Sequence, residues 1–306
     1  MQLAHVEGFV EVARRGNLSR AAEALYLTQP ALTARLRSLE DELGGPLFVR
    51  GRRGMTLTDT GRAFLPYAER ALASLRDGSA LVGELALGGT GELALGAAPA
   101  VSTYVLPSLL VRFVARYPRV RLVVRTGHSE EILEMVIRGE VAIGLTREIR
   151  HSLIEARPLY DDDLVLVADP GHPLAVERAI GLERMRDARL ILFDRTSSYY
   201  ELTNALFREA GVVPSGVMEL DNIDAAKQMV EAGLGIALLP LTAVARELGS
   251  GELRALRLEG VEPLRRRIVA IRRADAPPPS SVESGFWDEL ERITEILPSR
   301  DGSAFG

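Results

Sequence analysis

Cysteine is absent from all 306 residues, which excludes disulfides, zinc–thiolate centres and cysteine nucleophiles. Lysine occurs once, at Lys227, so nearly every cation is an arginine guanidinium. Aromatic residues make up 5% of the chain, with one tryptophan, Trp287. The four histidines, His5, His128, His151 and His172, are scattered without metal-ligand spacing. There is no long apolar run, and Met1–Glu7 enters an amphipathic pattern with no basic leader before it. Neither export nor a membrane span is expected, and a cytoplasmic location is. Ser250 stands between glycines but lacks the strand-to-helix elbow of a hydrolase nucleophile. Gly88-Gly89-Thr90-Gly91 has no following Gly-Lys-Ser/Thr, so it reads as a flexible joint and not as a phosphate loop. No catalytic residue, metal site or resident cofactor is expected.

An apolar fraction of 47% supplies a full core, and the length suits two or three compact units. The net charge of −5 argues against indiscriminate nucleic-acid binding. Residues 28–58 run against that trend, with five arginines (Arg35, Arg37, Arg50, Arg52, Arg53) facing Glu40, Asp41 and Glu42. A local basic face on an acidic protein fits a selective DNA binder.

That face belongs to Asn17–Gly54, which reads as helix, tight turn, helix and basic hairpin. Ser19 is the expected cap of the first of these helices and Thr28 of the second, with Pro30 tolerated in its first turn. Leu32, Leu36, Leu39 and Leu43 form one apolar stripe, leaving Pro30, Ala34, Arg37 and Ser38 on the opposite face. Gln29 has the amide geometry to pair with adenine, and Thr33 can meet a thymine methyl or a phosphate. Thr28 at the helix start and Arg35 off its exposed centre are read as phosphate contacts. Arg50, Arg52 and Arg53, on or beside the hairpin turn, suit phosphates and narrow minor grooves.

An earlier helix carries Leu3, Val6, Phe9, Val10 and Ala13. A later one, capped by Thr58-Asp59-Thr60, runs to about Leu87 with Leu65, Ala68, Leu72, Leu75, Ser79, Val82 and Ala86 at heptad-like spacing. A dimerisation helix is the expectation, since it would fix two recognition helices at a set spacing. The alternative is packing on its own domain. From Glu92 the pattern alternates between short strands and helices, an α/β domain with mostly parallel sheets. Strands are read at 92–97, 120–125, 141–145, 164–168, 189–193, 217–220, 235–239 and 267–272.

Ligand contacts in such a domain gather at strand ends and helix N-termini. Ala100, Ser102 and Thr103 after the first strand meet that description, as do Thr146 and Arg147 after the third. Arg195, Ser197 and Tyr199 follow the fifth. Arg147 and Arg195 with these hydroxyls point to a small carboxylate-bearing effector, although either arginine alone reads equally well as a surface ion pair. Asp161-Asp162-Asp163 reads as a solvated approach to a strand in preference to a cation site. Two competing classes are an α/β enzyme or binding protein without DNA binding, and a transport solute receptor.

Over essentially its whole length the chain resembles the LysR-type transcriptional regulators. The motif Ala21-Ala22…Leu25…Thr28-Gln29-Pro30-Ala31-Leu32-Thr33…Leu36…Leu39-Glu40…Leu43-Gly44…Leu47-Phe48-Val49-Arg50 carries the resemblance. Gly139-Glu140-Val141-Ala142-Ile143-Gly144 and Val230-Glu231-Ala232-Gly233-Leu234-Gly235-Ile236 resemble the family's effector domain. Ala34 and Ala100 depart from the residue types common at those positions. The resemblance implies an all-α winged helix-turn-helix at residues 1–58 and a linker helix at 59–88. It also implies a two-lobed α/β effector domain, like periplasmic binding proteins, at 89–306. Its first lobe would span about 89–160 and 268–298, and its second about 161–267. It further implies a homotetramer, dimerised through the linker helix, that binds promoter DNA and answers to a small molecule held between the lobes. RNA polymerase is then a candidate partner.

Overall fold

The computed structural model describes the chain apart from residues 52–53, 88–90, 178, 194–196, 210, 215 and 299–306. It divides into two compact units, one built on residues 1–91 and a larger one that starts at Glu92.

In the smaller unit α1 (Leu3–Arg15) buries Val6, Phe9, Val10 and Val12 and ends at Gly16, whose φ of 61° suits glycine. Asn17, not Ser19, caps α2 (Leu18–Ala24), because its amide oxygen accepts from Ser19 N at 2.9 Å and Arg20 N at 3.1 Å. Ser19 already lies inside the helix and contributes a backbone donor. After the turn at Tyr26, Thr28 caps α3 (Gln29–Leu43) by accepting from Ala31 N. Leu32, Leu36 and Leu39 are buried, as their spacing predicts. The antiparallel wing pairs β1 (Phe48–Gly51) with β2 (Gly54–Leu57), and Met55 N donates to Gly16 O at 2.8 Å.

The long helix α4 (Asp59–Leu87) starts where Thr58 Oγ1 accepts from Gly61 N at 3.0 Å and donates to Pro46 O at 2.7 Å. Ala68 and Leu72 are buried in the core that Phe9, Phe48 and α3 share, and Leu65 packs against it. The first turns of the heptad-like seam therefore complete their own domain. Leu75, one turn on, is 55% exposed.

The larger unit runs β3 (Glu92–Ala97), a π-helical turn (Val101–Val105), α5 (Leu106–Arg116), β4 (Arg121–Thr126), α6 (Ser129–Ile137), β5 (Ile143–Arg147) and β6 (Ile154–Ala168). It continues through β7 (Arg189–Phe193), α7 (Ser198–Glu209), β8 (Gly216–Leu220), α8 (Ile223–Glu231), β9 (Ile236–Pro240) and α9 (Leu241–Ser250). It closes with β10 (Arg254–Leu256), β11 (Arg265–Arg273) and α10 (Ser281–Glu291). The strand order is β4-β3-β5-β11-β6-β9-β7-β8, with β10 also on β6. Pairings of β3 with β4 and β5, and of β7 with β8 and β9, are parallel. Every pairing of β6 and β11 is antiparallel, so the sheet is mixed where mostly parallel pairing was expected.

Strand β6 serves both lobes. Residues 154–163 pair with β11, while 164–168 pair with β9 and β10. One lobe is packed around Leu95, Leu109, Phe113, Leu145, Phe286 and Leu290, the other around Val167, Leu190, Phe193, Val230 and Leu239. The first half of β6 escaped the sequence reading because its residues at 155–158 are exposed and carry no apolar alternation. Helix α10 closes the first lobe, held at its start by a reciprocal capping box between Ser280 and Glu283.

The acidic run Asp161-Asp162-Asp163 lies within β6 and faces Arg267, Arg266 and Arg265 in register on β11. Asp161 pairs with Arg267 at 3.0 Å and Asp163 with Arg265 at 3.2 Å. Strand alternation sends Asp162 and Arg266 to the buried side, where they are 3% and 6% exposed. This corrects the solvated reading of the run.

Candidate functional site

On α3 the capping geometry presents Thr28, Gln29, Pro30, Ala34 and Arg37 to solvent, with Thr33 and Arg35 half-buried at the flanks. Thr33 Oγ1 donates to Gln29 O at 2.8 Å, so its hydroxyl proton is spent on its own helix. Of the three neighbouring acids, Glu40 accepts from Leu47 N at 2.8 Å and Glu42 pairs with the N-terminal ammonium at 2.7 Å. Among the described residues, no carboxylate pairs with Arg35 or Arg37. Arg50 belongs to β1, whereas Arg52 and Arg53 lie outside the described residues.

The larger unit holds a small open cleft with a cavity volume of about 190 Å³. Its walls come from both lobes. The first contributes Ala98–Ala100, Thr103, Tyr104 and the start of α6 (His128, Ser129, Glu130). The second contributes Phe193, Ser197, Tyr199 and the start of α8 (Asp221–Asp224), and Arg266 of β11 completes the lining. The N-termini of α6 and α8 bring unpaired backbone N–H groups and positive dipole ends to the space. Asn222 caps α8 by accepting from Ala225 N at 3.0 Å.

Four of the residues expected from the sequence, Ala100, Thr103, Ser197 and Tyr199, are brought together on this wall. Ser102, Thr146 and Arg147 are not part of it. Thr146 is fully buried in the central strand β5. Arg147 is committed to an ion pair with Glu130, so the wall presents the carboxylate while the guanidinium stands beside it. Ser102 lies in the π-helical turn, its N–H donating to Ala98 O at 2.9 Å. Arg195 lies outside the described residues.

The cation that does line the cleft, Arg266, was missed. Its Nε is buried without a hydrogen-bond partner, and its guanidinium carbon lies 4.4 Å from the centre of the Tyr199 ring. The Tyr199 hydroxyl is likewise buried, and burial pushes its pKa up to about 12 against the opposing pull of the neighbouring Arg266 guanidinium. A signal existed, because Arg266 shares a period-two face with Ile268 and Ala270, both buried. Tyr104, also missed, donates to Asp224 Oδ1 at 2.6 Å. Burial and that acidic acceptor hold its hydroxyl far above the ordinary tyrosine range. Behind Tyr104, Lys227 lies 5.4 Å from the ring centre and pairs at 3.0 Å with Glu247, which is buried.

Residues 3–62 match the family model of the bacterial regulatory helix-turn-helix protein, lysR family, and residues 87–293 match that of the LysR substrate binding domain. The RuBisCO operon transcriptional regulator of Allochromatium vinosum is 31% identical over 92% of this chain and 93% of its own. Full-length CbnR in complex with its target DNA superposes with a TM-score of 0.64 at 26% identity, covering 96% of this chain and all of that one. The regulatory domain of CcmR from Synechocystis, in complex with 2-PG, gives a TM-score of 0.60 at 25% identity over 68% of this chain and 99% of that one. With both family models matched in sequence order and relatives aligned along nearly the whole length, the chain belongs to the LysR family of DNA-binding transcriptional regulators controlled by small molecules.

Proposed function

We propose that the controlling molecule is a small anion bound in the cleft between the two α/β lobes, with its negative group on Arg266. The observation that carries this reading is a guanidinium that lines the cleft while only 6% exposed, its buried Nε without a hydrogen-bond partner. A buried cation of that kind is costly to keep without a partner, and a carboxylate or phosphate supplies one with bidentate geometry. Ser197, Tyr199, Thr103 and the N–H groups at the start of α6 complete the anion's shell. We read the anion as an effector, in keeping with the LysR substrate binding domain matched over residues 87–293.

DNA is read through α3, with Gln29, Pro30 and Thr33 against base edges. Thr28, Arg35, Arg37, Arg50, Arg52 and Arg53 meet phosphates or the minor groove beside the wing. Residues 1–58, 59–88 and 89–306 then serve as reader, linker and sensor. Exposed Leu75 on α4 supports dimerisation through that helix. Val111 and Val114 on α5, with Val124 on the edge strand β4, support pairing of sensors into a tetramer. Closure of the lobes on the anion changes how the sensors pack, and with it the spacing or bend of bound DNA and the presentation to RNA polymerase.

The test is footprinting over DNA flanking the protein's own gene, with and without a panel of small organic acids. A salt-sensitive footprint that shortens or shifts with one acid is expected, and Arg266→Gln should keep the footprint but lose the shift. Absence of protection at any salt concentration overturns the DNA reading. A shift that survives Arg266→Gln overturns the anion reading.

A further inference from the structure

We infer that the effector is a zwitterion of the amino-acid class, its carboxylate on Arg266 and its ammonium group on Asp221. The inference rests on the anion reading above and adds the opposite charge. Among the described residues, three carboxylates line the cleft, from Glu130, Asp221 and Asp224, and one guanidinium, from Arg266. Two of the three are already matched. Glu130 is paired with Arg147, while Asp224 accepts from the Tyr104 hydroxyl and has Lys227 at 3.9 Å. Asp221 has no cation and no hydrogen-bond donor among the described residues. It sits exposed at the cleft, one residue before the cap of α8. Among the described residues of the cleft, Arg266 is thus the buried cation without an ion pair, and Asp221 the carboxylate without a cation.

Among the described residues Arg266 makes no ion pair within 4.0 Å. The carboxylate opposite it in register, Asp162, instead accepts from Thr242 Oγ1 at 2.9 Å and from Thr242 N. A mono-anion would satisfy Arg266 and leave Asp221 unmatched. A dianion would set its second negative charge against the unmatched Asp221, where like charges repel. A molecule with one carboxylate and one protonated amine neutralises both sites. Asp221 and Arg266 line the same cleft, so one small ligand can meet both.

The experiment is a thermal-shift and calorimetric titration of the full-length protein against the protein amino acids, their matched acids lacking the 2-amino group, and succinate. At least one amino acid should bind at least roughly tenfold more tightly than its desamino counterpart, the discrimination of a partly desolvated charge pair. Asp221→Asn, a change at an exposed site, should erase that preference by weakening the amino acid while leaving the desamino acid unchanged. Equal or tighter binding of desamino acids or succinate, or a preference retained in Asp221→Asn, overturns the zwitterion while the anion cleft stands. Failure of every acid, aminated or not, to bind overturns both readings.

Discussion

Arg266 lies directly opposite Asp162 in the register of β6 and β11, yet the carboxylate hydrogen-bonds to Thr242 and leaves the guanidinium to the cleft. Burial pushes the Asp162 carboxyl up to about 6, against the opposing pull of the Thr242 bonds and the Arg266 charge. Its folded-state pKa thus exceeds the unfolded value near 3.8, and the folded chain holds the proton more tightly. The stability this gives is present below pH 4 and is lost as pH rises through 6. Asp162→Asn, which cannot ionise, should match the parent at pH 4 and gain on it with rising pH. The relative gain should approach about 3 kcal/mol by pH 7.5. Urea denaturation at the two pH values measures it, and an equal difference at both would show an ordinary carboxylate.

The Tyr104 hydroxyl joins the π-helical turn of the first lobe to α8 of the second through Asp224. Its ring packs against the cores of both lobes. Tyr104→Phe keeps the ring and removes one hydrogen bond to a charged acceptor, so a loss of about 1–2 kcal/mol is expected. Combining it with Asp224→Asn should cost less than the sum of the single changes, because both remove the same contact. Full additivity in urea denaturation would mean that the contact contributes nothing.

At the joint between wing and α4, a Cβ on Gly61 would stand 2.2 Å from Leu47 O and 2.9 Å from Leu57 Cδ2. The first obstacle is backbone and cannot rotate away, so Gly61→Ala should cost at least about 1–3 kcal/mol and abolish DNA binding. The larger unit should still bind its ligand. Gly78→Ala is the control, since no atom lies within 4 Å of its added methyl on α4. It should be neutral or stabilise by up to about 1 kcal/mol. Gel-shift assays paired with thermal melts distinguish the two.

Gln29 and Arg37 are both exposed on α3 but are expected to fail differently. Arg37→Ala should weaken binding to all sequences and reduce the slope of affinity against salt by about one unit. Gln29→Ala should cost roughly 1–3 kcal/mol on the preferred operator, little on random DNA, and leave the salt slope intact. Titrations on both DNAs at several salt concentrations separate the outcomes, and a common loss would make Gln29 a backbone contact.

Local chemistry alone determined a large part of this protein. The Leu32, Leu36 and Leu39 spacing fixed which face of α3 is buried, and the Thr28 side chain fixed where that helix begins. Apolar runs marked β3, β7 and β9, and the ordered motif from Ala21 to Arg50 carried the family. These features depend on neighbours within a turn or two of chain, so they are written in the order of residues. Long-range packing decided the rest. Asn17 took the cap expected of Ser19, and Leu65, Ala68 and Leu72 went into their own domain's core. Arg147 was claimed by Glu130, and Asp161–Asp163 met Arg265–Arg267 across a ladder more than 100 residues apart in sequence. That pairing leaves Arg266 buried and open to the cleft. The partner of a charged side chain is chosen by which distant strand lies beside it, and only the folded chain brings those strands together.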